Sequence, residues 1–368
     1  MLHKKFSIKK EDIISIALLI ILLLSCILYY NYFVAGKSFT YEPVNGFIYP
    51  VNIHDNYIYL QYIARINDNL GELIGINNNI GISTFYFLIA YFFNVIGINI
   101  DFNILSLCIN NILICFIFLS YRKIIILLYL PRVYILTFFL CISLIYFSQL
   151  INKDIFTILF FLKCIEYSIQ KKYKMIISLS ILSFFIRFQL LPLFILYLII
   201  IKRTKHPIIK ILFIYTILSI LNGILSRYQL HFFNEKTLGS GLSYLIFSIN
   251  QQYFIGSLLF NPIRIIQYIH DLILSFDFII DNKIDVGRLK NIPQAIVFIF
   301  LLPFIITPFL RYRKSIENTD KYFISLTISF FMIWLFNPTI NVRYFICLLP
   351  TLQIFGFYQL NKYRLKIK

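Results

Sequence analysis

Charged residues are scarce in this sequence. Only 14% of its 368 residues are Asp, Glu, Lys or Arg, against roughly a quarter in an average soluble domain. Acidic residues are the rarer kind, with 16 of them against 34 basic ones. A soluble fold of this length needs a larger charged surface, so the composition excludes an ordinary soluble protein.

Sequence motifs of well-known chemistry are also missing. The chain has no G-x-x-x-x-G-K-[ST], no H-E-x-x-H and no G-x-S-x-G, so nucleotide hydrolysis, zincin chemistry and nucleophile-elbow catalysis have no support. Its six cysteines lie within apolar runs, with no close pair at metal-ligand spacing, which predicts apolar fillers rather than disulfides or zinc ligands. No internal repeat or linker divides the chain, which predicts a single membrane domain over residues 1–368.

Hydrophobic residues are abundant, at 60% of the chain with a mean hydropathy of +0.80. They form runs long enough to cross a bilayer. We predict an all-α polytopic membrane bundle with about ten transmembrane helices. The predicted spans are residues 13–34, 80–98, 103–120, 133–150, 154–169, 175–201, 208–226, 292–310, 322–337 and 343–360. The run 175–201 contains Arg187 and Pro192, which indicates a re-entrant hairpin or a broken helix.

The net charge of +18 comes from basic clusters that flank the spans, which is the pattern of cytoplasmic loops and not of a nucleic-acid-binding surface. Both chain termini are therefore predicted to be cytoplasmic. Segments 35–79 and 227–291 have no such basic excess and are predicted to lie outside. Arg122 and Lys123 conflict with this topology. Either 124–132 is an extra re-entrant element, or one of the two runs before it does not fully cross.

The segment 52–69, "NIHDNYIYLQYIARINDN", combines an acidic residue with an amphipathic pattern. Apolar residues recur every three to four positions, which predicts a helix on the outer leaflet. Asp55, beside His54, is either the N-cap of this helix or a catalytic acid or base. The two roles do not exclude each other. His54 and Asp154 complete the predicted catalytic residues.

Other polar residues are predicted to gather on the same outer side. Lys153 and Asp154 open the 154–169 span, where they form either a solvated turn with a helix cap or a polar contact for substrate. Arg343 and Tyr344 begin the last span as either a membrane anchor or a phosphate contact. We add Arg187, Gln189 and Arg227 as predicted substrate-binding residues. For Arg187 the reason is that a charge at membrane depth usually serves a partner or a substrate. Arg264 and His270 could contact a polar substrate, but a solvated charged face is the commoner explanation for such residues.

The order of these features resembles the polytopic C-type glycosyltransferases and the O-antigen or capsule polymerases. It is carried by the first-loop acid and by "NKDIFTILFFL", "IRFQLLPLF" and "RYFICLLP". The resemblance implies a bacterial inner-membrane enzyme that uses an undecaprenyl-linked saccharide on the outer face. It also implies that Asp55 activates the acceptor or helps to hold a divalent metal, although the sequence itself requires no cofactor. Asp154 and Arg343 match polar positions of the family.

The expected function is surface polysaccharide biosynthesis, as a repeat-unit polymerase with a chain-length regulator or export machinery as partner. One alternative is a C-type transferase that adds a single sugar. Another is a flippase or transporter of lipid-linked sugars, which usually carries charges through both halves and internal repeats. Here the selected charges gather on one face and no repeat is visible.

Overall fold

The computed structural model describes residues 10–37, 46–69, 71, 78–202, 207–228, 241–310, 317–337 and 340–367. These residues are mainly helical. The helices are α1 Lys10–Phe33, α2 Ile53–Asp68, α3 Ile80–Val95, α4 Phe102–Leu127, α5 Ser143–Phe147, α6 Asp154–Ile169, α7 Tyr173–Ile186, α8 Leu190–Ile201, α9 Pro207–Tyr228, α10 Gly241–Tyr253, α11 Gly256–Ile273, α12 Val286–Leu289, α13 Ile292–Leu310, α14 Asn318–Trp334 and α15 Val342–Ile367. Arg132–Leu140 and Leu274–Phe276 are 3-10 helices, and the strands are β1 Phe47–Ile48, β2 Ile279–Ile280 and β3 Lys283–Asp285.

Four helical stretches of the described chain are long and apolar enough to cross a membrane: Lys10–Phe33, Phe102–Leu127, Pro207–Leu225 and Val286–Leu310. α3, α7 and α8 are apolar but shorter. Large apolar side chains of α1 point outward, with Leu24 53% and Leu28 68% exposed. Such an exposed apolar surface is compatible with a membrane protein.

Ion pairs define one end of the bundle, which we call the Asp12 end. Asp12 near the start of α1 pairs with Arg122 of α4 and with Arg132. The ends of α4 and α6 are joined there by Lys123 and Glu166, 2.7 Å apart. The start of α14 and the end of α15 are joined in the same way by Asp320 and Lys362. The opposite end holds Asp154 and is called the Asp154 end.

The chain before Arg122 and Lys123 forms α3 and α4. α3 starts at the Asp154 end, where Lys153 bonds Asn79, and Tyr86 of α3 contacts Asn110 of α4 at 3.3 Å. Asn94 near the end of α3 and Phe102 line one hollow, so α3 and α4 run antiparallel. Because α4 ends at the Asp12 end, α3 extends away from that end. The run 80–98 forms the shorter apolar helix α3, and α4 continues to Leu127, so residues 124–127 are not a separate element.

The predicted span 133–150 is wrong as a regular α-helix. A nine-residue 3-10 helix, Arg132–Leu140, and the short α5 replace it. Irregular backbone in an apolar setting must find hydrogen-bond partners within the protein. Amide side chains provide them: Asn110 Nδ2 donates to the carbonyls of Ser148 and Leu150, and Gln353 Nε2 donates to that of Thr137.

The run 175–201 is a hairpin of two helices. α7 ends at Ile186, Arg187 takes an extended conformation, and α8 begins at Leu190 and packs against α7. Pro192 lies in the first turn of α8, where its missing N–H interrupts no helical hydrogen bond. The break places Arg187 at the Asp154 end.

A small sheet departs from the all-α prediction. β3 pairs in parallel with β1 and antiparallel with β2. The pairing joins the segment just before α2 to the segment just before α12. The segment 227–291 contains the helices α10 and α11. Arg264 is not on a solvated face, because it is only 2% exposed and donates to the carbonyl of Leu335. His270 is exposed.

Close helix contacts at two glycines generate a stability prediction. A Cβ on Gly81 would lie 1.5 Å from the backbone oxygen of Phe185, whereas a Cβ on Gly356 would meet only side-chain atoms of Leu301, the nearest at 2.8 Å. Backbone cannot move as readily as a side chain. We expect Gly81→Ala to destabilise the protein by about 1–3 kcal/mol and Gly356→Ala by less. Melting of the two purified variants in detergent checks this order, and equal melting temperatures would contradict it.

Candidate functional site

Four charged side chains from distant parts of the chain meet at the Asp154 end. Arg187 Nη2 donates to Asp154 Oδ1 at 2.8 Å. Arg343 donates through Nε to Asp154 Oδ2 and through Nη1 to Asp55 Oδ2. The order is therefore Asp55, Arg343, Asp154, Arg187, and we call this chain of contacts the ion network. It links α2, the start of α6, the α7–α8 break and the start of α15.

Asp154 lies at the centre of the network and its side chain is 0% exposed. It is the first residue of α6, and its N–H donates to Asn152 Oδ1 at 2.6 Å. A carboxylate at a helix N-terminus is favoured by the helix dipole. The solvated-turn alternative for Asp154 is therefore wrong, because this side chain is buried between two guanidinium groups and caps nothing.

Asp55 is not the N-cap of α2. The N-cap is Asn52, and Asp55 is the third helical residue. Its Oδ2 accepts hydrogen bonds from Asn52 Nδ2 at 2.9 Å and from Arg343. Burial alone would raise the pKa of Asp55, but the charge of Arg343 and these hydrogen bonds outweigh it and hold the pKa below its ordinary value. Asp55 is therefore ionised at neutral pH and a weak base in this pairing.

Lys153 is 2% exposed, so it too is no solvated turn residue. Its Nζ donates to the carbonyl of Asn78 and, at 2.7 Å, to Asn79 Oδ1. Burial lowers the pKa of Lys153 to about 7, and the nearby charge of Arg187 acts in the same direction. Both acceptors belong to the residues just before α3. Lys153 thus fastens α3 to α6 and is poorly placed to bind a phosphate.

Arg187 and Gln189 carry unused hydrogen-bonding atoms. The Arg187 guanidinium lies 5.1 Å from the ring centroid of Tyr344, so Tyr344 packs against the network and is more than a membrane anchor. Arg187 Nη1 and Gln189 Oε1 are buried without a hydrogen-bond partner among the described residues. A donor and an acceptor without partners are typical of a place where a ligand or water binds.

Two further residues were predicted for the site, His54 and Arg227. His54 is exposed in the first turn of α2, next to Asp55 in sequence. The side chain of Arg227 lies outside the described part of the structure.

Lys290 belongs near the site and was not predicted. Its Nζ donates to the carbonyl of Gly287 at 2.6 Å and lies 4.0 Å from the ring centroid of Tyr146. It is close enough to Arg343 and Asp154 for their charges to act on it. The sequence feature that could have indicated Lys290 is its position directly before the long apolar run of α13. This feature was not sufficient, because only the pairing of β1 with β3 brings that segment to the start of α2.

The residues at the site do not fit a divalent metal. A hard cation needs several free oxygen ligands, and Arg343 already lies between the two carboxylates. Across the described ranges, no group of three or more His, Cys, Asp or Glu is close enough to hold a metal ion.

Comparison with known proteins finds no match for this chain among protein-family models, curated proteins or solved structures. What defines its class is its own structure. It is a helical protein, with helices suited to cross a membrane and a buried ion network at one end of the bundle.

The burial of Asp154 predicts its contribution to stability. Asp154→Asn leaves Arg187 buried without a counter-charge, and we expect a loss of about 3 kcal/mol or more in the free energy of unfolding. Asp277→Asn is the control, because that carboxylate is 74% exposed and pairs loosely with Arg288. Thermal melting in detergent measures both. Equal melting of the two variants would show that the network does not stabilise the fold.

The lowered pKa of Lys153 predicts a pH dependence. Between the folded value of about 7 and the ordinary value of 10.5, the unfolded chain binds a proton that the folded chain has released. Stability therefore rises with pH across that interval. We expect the melting temperature of the wild type to rise from pH 7 toward pH 9 more steeply than that of Lys153→Met. Lys163→Met, at a lysine paired with Glu166, should keep the wild-type slope, and a wild-type slope in Lys153→Met would refute the assignment.

Proposed function

We propose that this chain is a bacterial inner-membrane glycosyltransferase that transfers sugar from an undecaprenyl-linked donor, most simply as an O-antigen or capsule repeat-unit polymerase. In this proposal the chain is one membrane domain with about ten crossings. The Asp12 end is cytoplasmic and the Asp154 end faces outward, as the basic clusters favour. The observation that carries the proposal is the direct contact of Asp55 with Arg343, an acid or base group paired with a phosphate-binding group.

The contact of Asp55 with Arg343 supports a mechanism in which the donor phosphate displaces Asp55 from Arg343 and so frees it to act as a base. Arg343 contacts both Asp55 and Asp154, and its side chain is 18% exposed while that of Asp154 is 0% exposed. A donor phosphate reaching this site would compete with Asp55, the more exposed carboxylate, for Arg343 Nη1. Asp154 would keep its contact with Nε. Once Arg343 binds the phosphate, its positive charge no longer lowers the pKa of Asp55, and Asp55 becomes a stronger base.

The transfer then follows with atoms and electrons in balance. Asp55 accepts the proton of the acceptor hydroxyl, and the hydroxyl oxygen forms a bond to the anomeric carbon of the donor sugar. The bond between that carbon and the phosphate oxygen breaks, and its electron pair stays on the phosphate. Arg343, with Arg187 behind it, stabilises the charge that develops there. The proton leaves Asp55 to water.

The distribution of charge favours this function over a flippase. In the part of the chain that the structure describes, the buried charged residues lie at the two ends of the bundle: Asp12, Glu166 and Asp320 at one, and Lys153, Asp154, Arg187, Arg264 and Asp285 at the other. A carrier that moves a charged headgroup across the membrane is expected to line a central path with polar groups. A site at one end of the bundle suits a reaction at one membrane surface better than transport across the membrane.

The test is the surface-polysaccharide ladder of the bacterium from which the gene is deleted and then restored. Wild type and Asp12→Asn should restore the ladder, because Asp12 is a buried, arginine-paired aspartate at the other end. Asp55→Asn should not, at equal protein abundance, because loss of a general base lowers rates by about 10²–10⁴-fold.

The deletion itself separates the candidate reactions. A band of single repeat units in place of the ladder supports a polymerase. A truncated unit supports a transferase of one sugar. An unchanged ladder in the deletion strain, or full restoration by Asp55→Asn, would overturn the proposal.

A further inference from the structure

The helix α11 carries a buried polar face. Asn261, Arg264 and Tyr268 follow one another at spacings of three and four residues, which places them on one side of the helix. Asn261 and Tyr268 are 0% exposed and Arg264 is 2% exposed. Arg264 donates to the carbonyl of Leu335 at the end of α14. The polar face of α11 is therefore directed toward the interior of the bundle.

The opposite side of α11 is apolar and exposed. Leu259, Ile263 and Ile266 recur at the same spacings, and they are 55%, 50% and 66% exposed. A helix on the surface of a soluble protein shows the reverse arrangement. The exposed apolar side suits contact with lipid. Polar residues that face inward from a helix in lipid usually serve a function.

Two side chains of the buried face lack hydrogen bonds. Neither amide atom of Asn261 and not the hydroxyl of Tyr268 has a hydrogen-bond partner among the described residues. The neighbouring Asn250 differs, because its Nδ2 donates to Ser257 Oγ at 2.8 Å and its Oδ1 accepts from the N–H of Ser257 at 2.9 Å. Burial of polar atoms without partners is destabilising. Asn261 and Tyr268 are therefore typical of a place where another molecule binds.

The unpartnered atoms select the chemistry of that molecule. Asn261 offers a donor and an acceptor, and the hydroxyl of Tyr268 can act as either. An anion only accepts hydrogen bonds and would leave Oδ1 of Asn261 without a partner. An ammonium group only donates and would leave Nδ2 without one. A hydroxyl group does both, so the two side chains suit a ligand with neighbouring hydroxyl groups.

α11 has to move for a ligand to reach these atoms, because both side chains are fully buried. The helix packs mainly on α9 and α10 and makes fewer contacts with α15. Its inner face meets α14 and α15 through the hydrogen bond of Arg264 and through the ring of Tyr268, which lies 5.9 Å from that of Phe345. These contacts can separate while α9, α10 and α11 stay packed together.

We propose that the inner face of α11 is a second binding site, which takes a neutral group with neighbouring hydroxyls through Asn261 and Tyr268. Two sources at a membrane surface share this chemistry, the glycerol headgroup of phosphatidylglycerol and a saccharide. The site lies beside the ion network, since Trp334, next to Leu335, packs its ring 5.8 Å from that of Tyr344. It uses no residue of the network and does not depend on the proposed glycosyl transfer.

Asn261→Leu tests the unpaired amide before any ligand is added. The substitution keeps a similar shape and removes both unpartnered atoms, so the melting temperature in phosphatidylcholine nanodiscs should rise by a few degrees. Asn250→Leu is the matched control, which loses two hydrogen bonds and should melt below the wild type. If Asn261→Leu also melts below the wild type, the Asn261 amide is satisfied in the protein by ordered water, and the proposal fails.

The ligand is tested by the rise in melting temperature that a probe causes. The probes are phosphatidylglycerol mixed into the nanodiscs and methyl glucoside added to phosphatidylcholine nanodiscs. A rise in the wild type that is lost in Asn261→Leu and reduced in Tyr268→Phe identifies the lipid headgroup with the first probe and a saccharide with the second. Equal shifts in the wild type and Asn261→Leu with both probes, including no shift at all, would overturn the assignment.

Discussion

Burial of the Asp154 carboxylate is the constraint on which the Asp154 end depends. A charge removed from water must be neutralised and hydrogen-bonded, or it is strongly destabilising. Two arginines meet this demand, one from the α7–α8 break and one from the start of α15. Because both must reach the same carboxylate, the hairpin, α6 and α15 are held in a fixed relation. Asp55 joins only through Arg343, and it is the most exposed member.

The same requirement acts on the backbone. The stretch between Arg132 and Leu150 lacks a regular α-helix, and the carbonyls it leaves open are bonded by Asn110 and Gln353 from α4 and α15. Lys153 likewise donates a hydrogen bond to the carbonyl of Asn78. The side-chain Oδ1 of Asn78 accepts a hydrogen bond from the N–H of Phe188. Polar side chains inside this protein therefore hold non-helical segments in place. The site is built where three such segments meet: the turn before α6, the α7–α8 break and the residues before α3.

The four residues of the ion network differ in how far they are exposed, and this difference suggests different roles. Asp154 and Arg187 are almost fully enclosed, and their pairing is a matter of stability. Asp55 and Arg343 are partly exposed, so their contact can open without disrupting the fold. A site that must exchange one anion for another needs such a pair at its rim and a fixed pair behind it.

The sequence by itself determined the helical class and the approximate positions of most apolar helices, because periodicity and hydropathy are local. The 154–169 and 292–310 runs appear in the structure with those bounds. It also singled out Asp55, Asp154, Arg187 and Arg343, since charges are conspicuous in an apolar chain. Local patterns could not show that Arg343 bridges two carboxylates, that Lys153 is buried on Asn78 and Asn79, or that Lys290 lies near them. The irregular 133–150 segment was likewise decided by tertiary contacts, because Asn110 and Gln353, which are distant in sequence, bond its open carbonyls.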